Sequence, residues 1–151
     1  MIATSISQSQ ELIRLGLDPA TADMCWITDI NGEHINADTL TNIQERLDKV
    51  YDEQGVTDEN WVSLLPAWSL SALLEVMPRK INHIKKGKMF VNPLTLEIEK
   101  IIGVCGDTYY CISYVSNKRA EISFSAETMV EAAYTMLCYL LRGLIKKVDK
   151  Q

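Results

Sequence analysis

Leu94-Thr95-Leu96-Glu97-Ile98-Glu99 decides the fold. Its apolar and polar residues alternate with a period of two, which is the pattern of a half-buried strand. Tyr109 to Val115 follows after a turn at Gly103–Asp107 and is rich in aromatic and β-branched residues. Ser116 to Arg119 turns the chain again, and Ala120, Ile122 and Phe124 then alternate with Glu121, Ser123 and Ser125. Three strands with short connections predict an antiparallel meander.

On either side of the meander the period changes to that of a helix. Thr128 with Glu131 fits a capping box, in which hydroxyl and carboxylate each satisfy a free backbone donor. The helix beyond it is apolar on most faces (Val130, Ala133, Tyr134, Leu137, Cys138, Leu140, Leu141, Leu144), as expected for a buried element. Lys146 and Lys147 suit the negative pole of its dipole. Before the meander, Pro66-Ala67-Trp68-Ser69 turns into an apolar-faced helix over Ser69–Met77, ended by Pro78, with Ser69 as cap and Trp68 packed beneath it. A basic connector, Arg79 to Lys88, joins that helix to the first strand. The expected class is α+β: a three-stranded antiparallel sheet flanked by helices, in the order α-β-β-β-α.

The N-terminal region reads as mainly helical around one hairpin. Ser9–Leu15 is a short helix closed by Gly16, which accepts a left-handed backbone at little cost. Asp18-Pro19 is an N-cap followed by proline at the first helical position, opening a helix through Met24. Within Trp26–Ile35, Asn31-Gly32 supplies the positive-φ pair of a hairpin turn. Leu40, Ile43, Leu47, Val50 and Tyr51 then recur at helical spacing, between a cap at Asp38 and a stop at Gly55.

With 151 residues, 47% apolar and 23% charged, the chain can bury a core and is not disordered as a whole. One domain over 1–151 is expected, made of an acidic helical region over 1–60 and the α-β-β-β-α core over 61–151. The net charge of −5 is unevenly divided, −9 over residues 1–60 and +4 over 61–151. No leader pattern starts the sequence, and Met129–Leu141 falls short of the about 20 apolar residues a membrane span needs. A cytoplasmic protein without membrane contact is expected.

Chemistry-bearing patterns are weak. Cys25, Cys105, Cys111 and Cys138 have no metal-ligand spacing with each other or with His34 and His83, so structural thiols are expected and no metal or cofactor. Asp29-Ile30-Asn31-Gly32 echoes a calcium loop, but Ile27 would occupy its first ligand position, and isoleucine cannot ligate. Cys105, His83 and Asp107 contain the residue types of a nucleophilic triad without a spacing that joins them, and no phosphate loop or nucleophile elbow is present. A non-enzymatic protein is the expectation.

Two stretches suit partners. Arg79, Lys80, Lys85, Lys86 and Lys88 lie within ten residues with no acid among them, which suits phosphate contact. Trp61, Trp68, Tyr109 and Tyr110 are aromatic residues able to anchor a protein interface, with another protein or with a second copy.

Three resemblances bear on these choices. The α-β-β-β-α order is similar to the double-stranded-RNA-binding domain, but that family's lysine pair at the start of the final helix is replaced here by Glu127 and Glu131. Glu127–Ala133, a strand end running into Thr128-Met129-Val130-Glu131-Ala132, resembles the core of Hic-type antitoxins, small sheet-and-helix proteins that bind a toxin. More broadly, Glu11–Met24, Pro66–Leu74 and Glu131–Leu141 resemble segments of small proteins encoded in gut-bacterial genomes, often in phage or prophage regions. That resemblance implies a mobile-element context and carries no functional residues. The sequence therefore favours a protein-binding or accessory protein, with a nucleic-acid-binding module or an antitoxin-like protein as the alternatives.

Overall fold

A computed structural model describes residues 2–28, 34–39, 64–82, 84–85, 88–89 and 93–148. The fold is α+β, and the chain divides into two compact units, Met1–Ala72 and Leu73–Gln151. The division falls inside a helix.

The meander forms as its periodicity predicts. Strands β7 (Leu94–Ile102), β8 (Thr108–Ser116) and β9 (Arg119–Ala126) pair antiparallel in sequence order. Two turns set the register. Asn117 and Lys118 both take positive φ, 49° and 63°, the mirror-image geometry whose twist matches a two-residue hairpin. Between β7 and β8, Gly106 adopts φ +85°, and the Gly103 N–H donates to the Asp107 carbonyl at 2.7 Å.

Helix α3 (Met129–Val148) starts where expected, with Thr128 Oγ1 accepting from the Glu131 N–H at 3.2 Å. It lies against β8 and β9, burying Val130, Ala133, Met136 and Leu137. The even-numbered sheet residues Leu94, Ile112, Tyr114 and Ile122 are buried on one face, and on that face the Phe124 and Tyr139 rings meet at 5.6 Å. Tyr114 donates its hydroxyl to the Pro78 carbonyl at 2.7 Å, and burial pushes its pKa up to about 12.

The sheet has four strands, where the periodicity predicts three. Lys80–Ile81, β4, pairs antiparallel with the start of β7. A two-residue strand is too short to show a period, so the stretch reads as connector. The rest of that stretch also pairs: β5 (Ile84–Lys85) and β6 (Lys88–Met89) form a separate two-stranded sheet.

The N-terminal unit departs further from expectation. Its described residues hold a three-stranded antiparallel sheet, ordered β2-β1-β3, from β1 (Met24–Thr28), β2 (His34–Thr39) and β3 (Leu64–Ala67), beside the helix at Ile6–Arg14. The expected hairpin strands do pair, although the turn residues 29–33 lie outside the described residues, as does the expected helix from residue 40 onward. Pro66 is accommodated because β3 is an edge strand, where a missing N–H leaves no ladder bond unmade.

Helix α1 covers Ile6–Arg14, starting earlier than its apolar spacing suggests because Ser5 and Gln8 form a reciprocal capping box. Its end is the expected one. Gly16 takes φ +95°, its N–H bonds Ile13 O, and the Leu17 N–H bonds Leu12 O. After Asp18-Pro19 only a 3-10 turn forms, Pro19–Thr21, because the chain enters β1 at Met24. Helix α2 (Leu70–Val76) begins at the predicted cap: Ser69 Oγ accepts from the Ala72 N–H at 3.3 Å.

Polar groups knit this unit together. Thr4 and Ser9 are fully buried and share a 2.8 Å hydroxyl bond. Thr4 Oγ1 also accepts from the Trp68 N–H at 3.1 Å, while the Thr4 N–H donates to the Trp68 carbonyl at 2.9 Å. The Thr4 carbonyl accepts from the Trp26 indole at 2.9 Å. Asp23 binds both the N–H and the hydroxyl of Ser69.

Candidate functional site

Among the described residues, eight large apolar side chains are exposed, and five of them sit on the β7–β8 hairpin: Ile98, Ile101, Ile102, Val104 and Tyr109. Ile102 is 70% exposed and Val104 projects from the turn. Scattered apolar residues are ordinary on a surface, but a cluster on one hairpin is not.

The strand pattern explains the cluster. Up to Glu99 the alternation sends apolar residues to the helix-covered face and acids to the other. At Ile101-Ile102 two apolar residues follow each other, so one lands on each face. The helix-covered face also runs out of cover along β7: Leu94 is buried, Leu96 half-buried, and Ile98 and Ile102 exposed. α3 packs chiefly against β8 and β9.

β7 is also poorly flanked. β4 pairs only with Leu94 and Thr95, and the Leu96 N–H donates to the Arg79 carbonyl at 2.9 Å. No described strand lies beside the remainder of β7 on that side. The residue before Arg79 is Pro78, which lacks an N–H, and the chain before it is helical, so β4 cannot extend along its neighbour.

The opposite sheet face carries Ile101 and Tyr109 at its distal end and is small and polar nearer its middle. Ser113 and Ser123 hydroxyls lie 2.9 Å apart, and Cys111 Sγ is 3.0 Å from Ser123 Oγ and 3.4 Å from Ser113 Oγ. Glu97 and Glu99 pair across from Ser113 and Cys111 on this face. The thiol and the two hydroxyls thus make one hydrogen-bonded patch.

The aromatic candidates separate. Tyr109 is exposed and Tyr110 half-buried, both on the hairpin. Trp68 is not an interface residue: it is fully buried, its indole donating to Thr21 Oγ1 at 2.9 Å and its backbone bonded to Thr4. Trp61 lies outside the described residues. The basic stretch separates too. Arg79 and Lys80 are exposed at β4. Lys85 and Lys88 are strand partners whose side chains, like Lys86 and His83, lie outside the described residues.

Cys105 is exposed in the hairpin turn, whereas Cys25, Cys111 and Cys138 are buried, and none of the four forms a disulfide. Burial pushes the Cys25 thiol pKa up, away from the reactive thiolate. Among the described residues no His, Cys, Asp or Glu cluster could hold a metal ion, and no helix is long and apolar enough to cross a membrane. The exposed Ile98, Ile101, Ile102 and Val104 were not among the sequence candidates; the doubled isoleucine that breaks the alternation is the signal that marks them. No family model, curated protein or solved structure matches this chain.

Proposed function

We propose that this chain is a non-enzymatic binding or accessory protein that acts through protein contacts at the β7–β8 hairpin. The observation that carries the proposal is the gathering of Ile98, Ile101, Ile102, Val104 and Tyr109 on one exposed hairpin. Exposed apolar residues held on a rigid strand pair cost little ordering entropy when a partner covers them. The resemblance of three segments to phage- and prophage-encoded proteins supplies the setting, a mobile element in a bacterial cytoplasm.

A double variant, Val104→Asp with Tyr109→Ser, tests the proposal because both side chains are exposed and their loss spares the core. Cross-linked partners recovered from the native host should fall at least about tenfold, the effect of losing roughly 1.4 kcal/mol of contact. Undiminished recovery from a variant that keeps its melting temperature overturns it.

The exposed Arg79 and Lys80 support a second reading, contact with nucleic-acid phosphates. It requires binding that weakens with salt and with alanine at Arg79, Lys80, Lys85, Lys86 and Lys88. An absence of binding in low salt removes it.

A further inference from the structure

We infer that the open side of β7 receives an extended segment of a different protein as an added antiparallel strand, and that the fitting segment alternates apolar with basic residues. The inference rests on the protein-contact function proposed above and specifies its geometry. The Leu96 N–H points away from β8, toward β4, because it donates to Arg79 O. Backbone direction alternates along a strand, so the N–H and C=O groups of Ile98, Lys100 and Ile102 point to the same side. Beyond β4 no described strand meets them. A row of unpaired donors and acceptors on a pleated strand is matched by another strand and by little else.

Charge decides between a second copy and a different chain. In an antiparallel ladder outward-pointing residues must face outward-pointing residues, so the two-fold axis of a self-paired dimer must pass through a residue. Centred on Ile98, the pairing sets Glu97 against the partner's Glu99. Centred on Glu99, it sets the two Glu99 carboxylates together; centred on Lys100, the two lysines. Those are the only centres that pair five or more residues of 96–102. Like charges directly opposite are destabilising, so β7 resists its own copy.

The same charges specify what fits. Positions opposite Glu97 and Glu99 call for bases, those opposite Ile98, Ile101 and Ile102 for apolar or β-branched residues, and the one opposite Lys100 for an acid. β9, at the other edge of the sheet, exposes Arg119, Ser123 and Ser125 and no large apolar residue, so it offers no comparable anchor.

The test uses the full ¹⁵N-labelled chain and two acetylated hexapeptides. Val-Thr-Glu-Lys-Val-Arg sets its bases opposite Glu99 and Glu97 and stops short of the position that Arg79 holds opposite Leu96; Val-Thr-Lys-Glu-Val-Glu reverses the charges. Titration should show the first binding about tenfold more tightly, consistent with the small energy of each cross-strand pair. Amide exchange should slow at Ile98, Lys100 and Ile102. Two variants keep the result interpretable. Ile98→Pro removes an outward N–H without touching the β8 ladder and should abolish binding. Glu97→Lys with Glu99→Lys should reverse the peptide preference.

Equal binding, no binding at millimolar peptide, slowed exchange elsewhere, or a β7-paired dimer of the free chain each overturns the inference. If the peptides fail while Val104→Asp/Tyr109→Ser still loses its cellular partner, strand addition falls and the hairpin interface stands. If that variant keeps its partner, the interface falls as well.

Discussion

The two units reach stability by different means. The N-terminal unit is closed by a few polar side chains, with Thr4, Asp23 and the indoles of Trp26 and Trp68 bridging segments far apart in sequence. The C-terminal unit is a meander whose neighbouring strands adjoin in sequence, packed through one apolar face. Hydrogen bonds fail singly and apolar packing fails by volume, so substitutions of similar size should act differently in the two units.

The largest loss is expected for Trp68→Ala, which empties a fully buried site and leaves Thr21 Oγ1 without its donor. Urea unfolding should show about 3–5 kcal/mol lost. Met136→Ala is the C-terminal counterpart, fully buried and without a polar bond, and should cost about 2–5 kcal/mol through volume alone. Back-substitution to Leu should recover most of that loss at Met136, but Trp68→Phe should leave a deficit, because no phenyl ring can serve Thr21.

Thr4→Val sharpens the contrast further, since it preserves shape and deletes only the hydroxyl. It strands the Trp68 N–H and the Ser9 hydroxyl and should cost about 1–3 kcal/mol. A neutral result would show that the N-terminal unit is held by packing after all. The smaller counterpart is Tyr114→Phe, which removes one bond to Pro78 O and should cost about 0.5–1.5 kcal/mol at neutral pH.

Tyr114 adds a dependence on pH. Its folded pKa, pushed up to about 12, exceeds the ordinary tyrosine value of about 10, so the folded state holds its proton more tightly than the unfolded state. That stabilisation is complete below pH of about 10 and disappears as pH rises toward 12. Melting temperatures followed through this window should fall for the parent chain and less for Tyr114→Phe. Equal slopes would refute the assignment.

The meander was legible because its pattern is local: Leu94–Glu99 and Ala120–Ser125 carry the strand period, and Thr128 marks the helix start. Caps at Ser69 and Asp18 were legible for the same reason. The N-terminal sheet was not. Met24–Thr28 is mostly apolar without alternation, and Leu64–Ala67 contains a proline, so neither carries a strand period. Their pairing, Met24 with Ala67, is a tertiary fact. Trp68 carried two readings, packed beneath the helix cap and anchoring an interface, because an amphipathic ring suits a core and an interface equally; only Thr21 and Thr4, brought from elsewhere, decide for the core. The hairpin site was half legible: Tyr109 and Tyr110 stood out by residue type, while the exposure of Ile98 and Ile102 depends on where α3 lies.

The bond between Thr4 and Trp68 spans 64 positions, and β3 is the strand that completes the sheet begun by β1. A nascent chain emerges from the ribosome in order, so α1 and β1 are exposed well before their closing partner exists. Closing so long a loop carries an entropic cost that only β3 and Trp68 can offset, whereas β7, β8 and β9 can zip through short turns as they appear. The first part of the chain to be synthesised is therefore not the first able to fold unaided: β2 can pair with one edge of β1 at once, but the other edge must wait for residues some forty positions downstream.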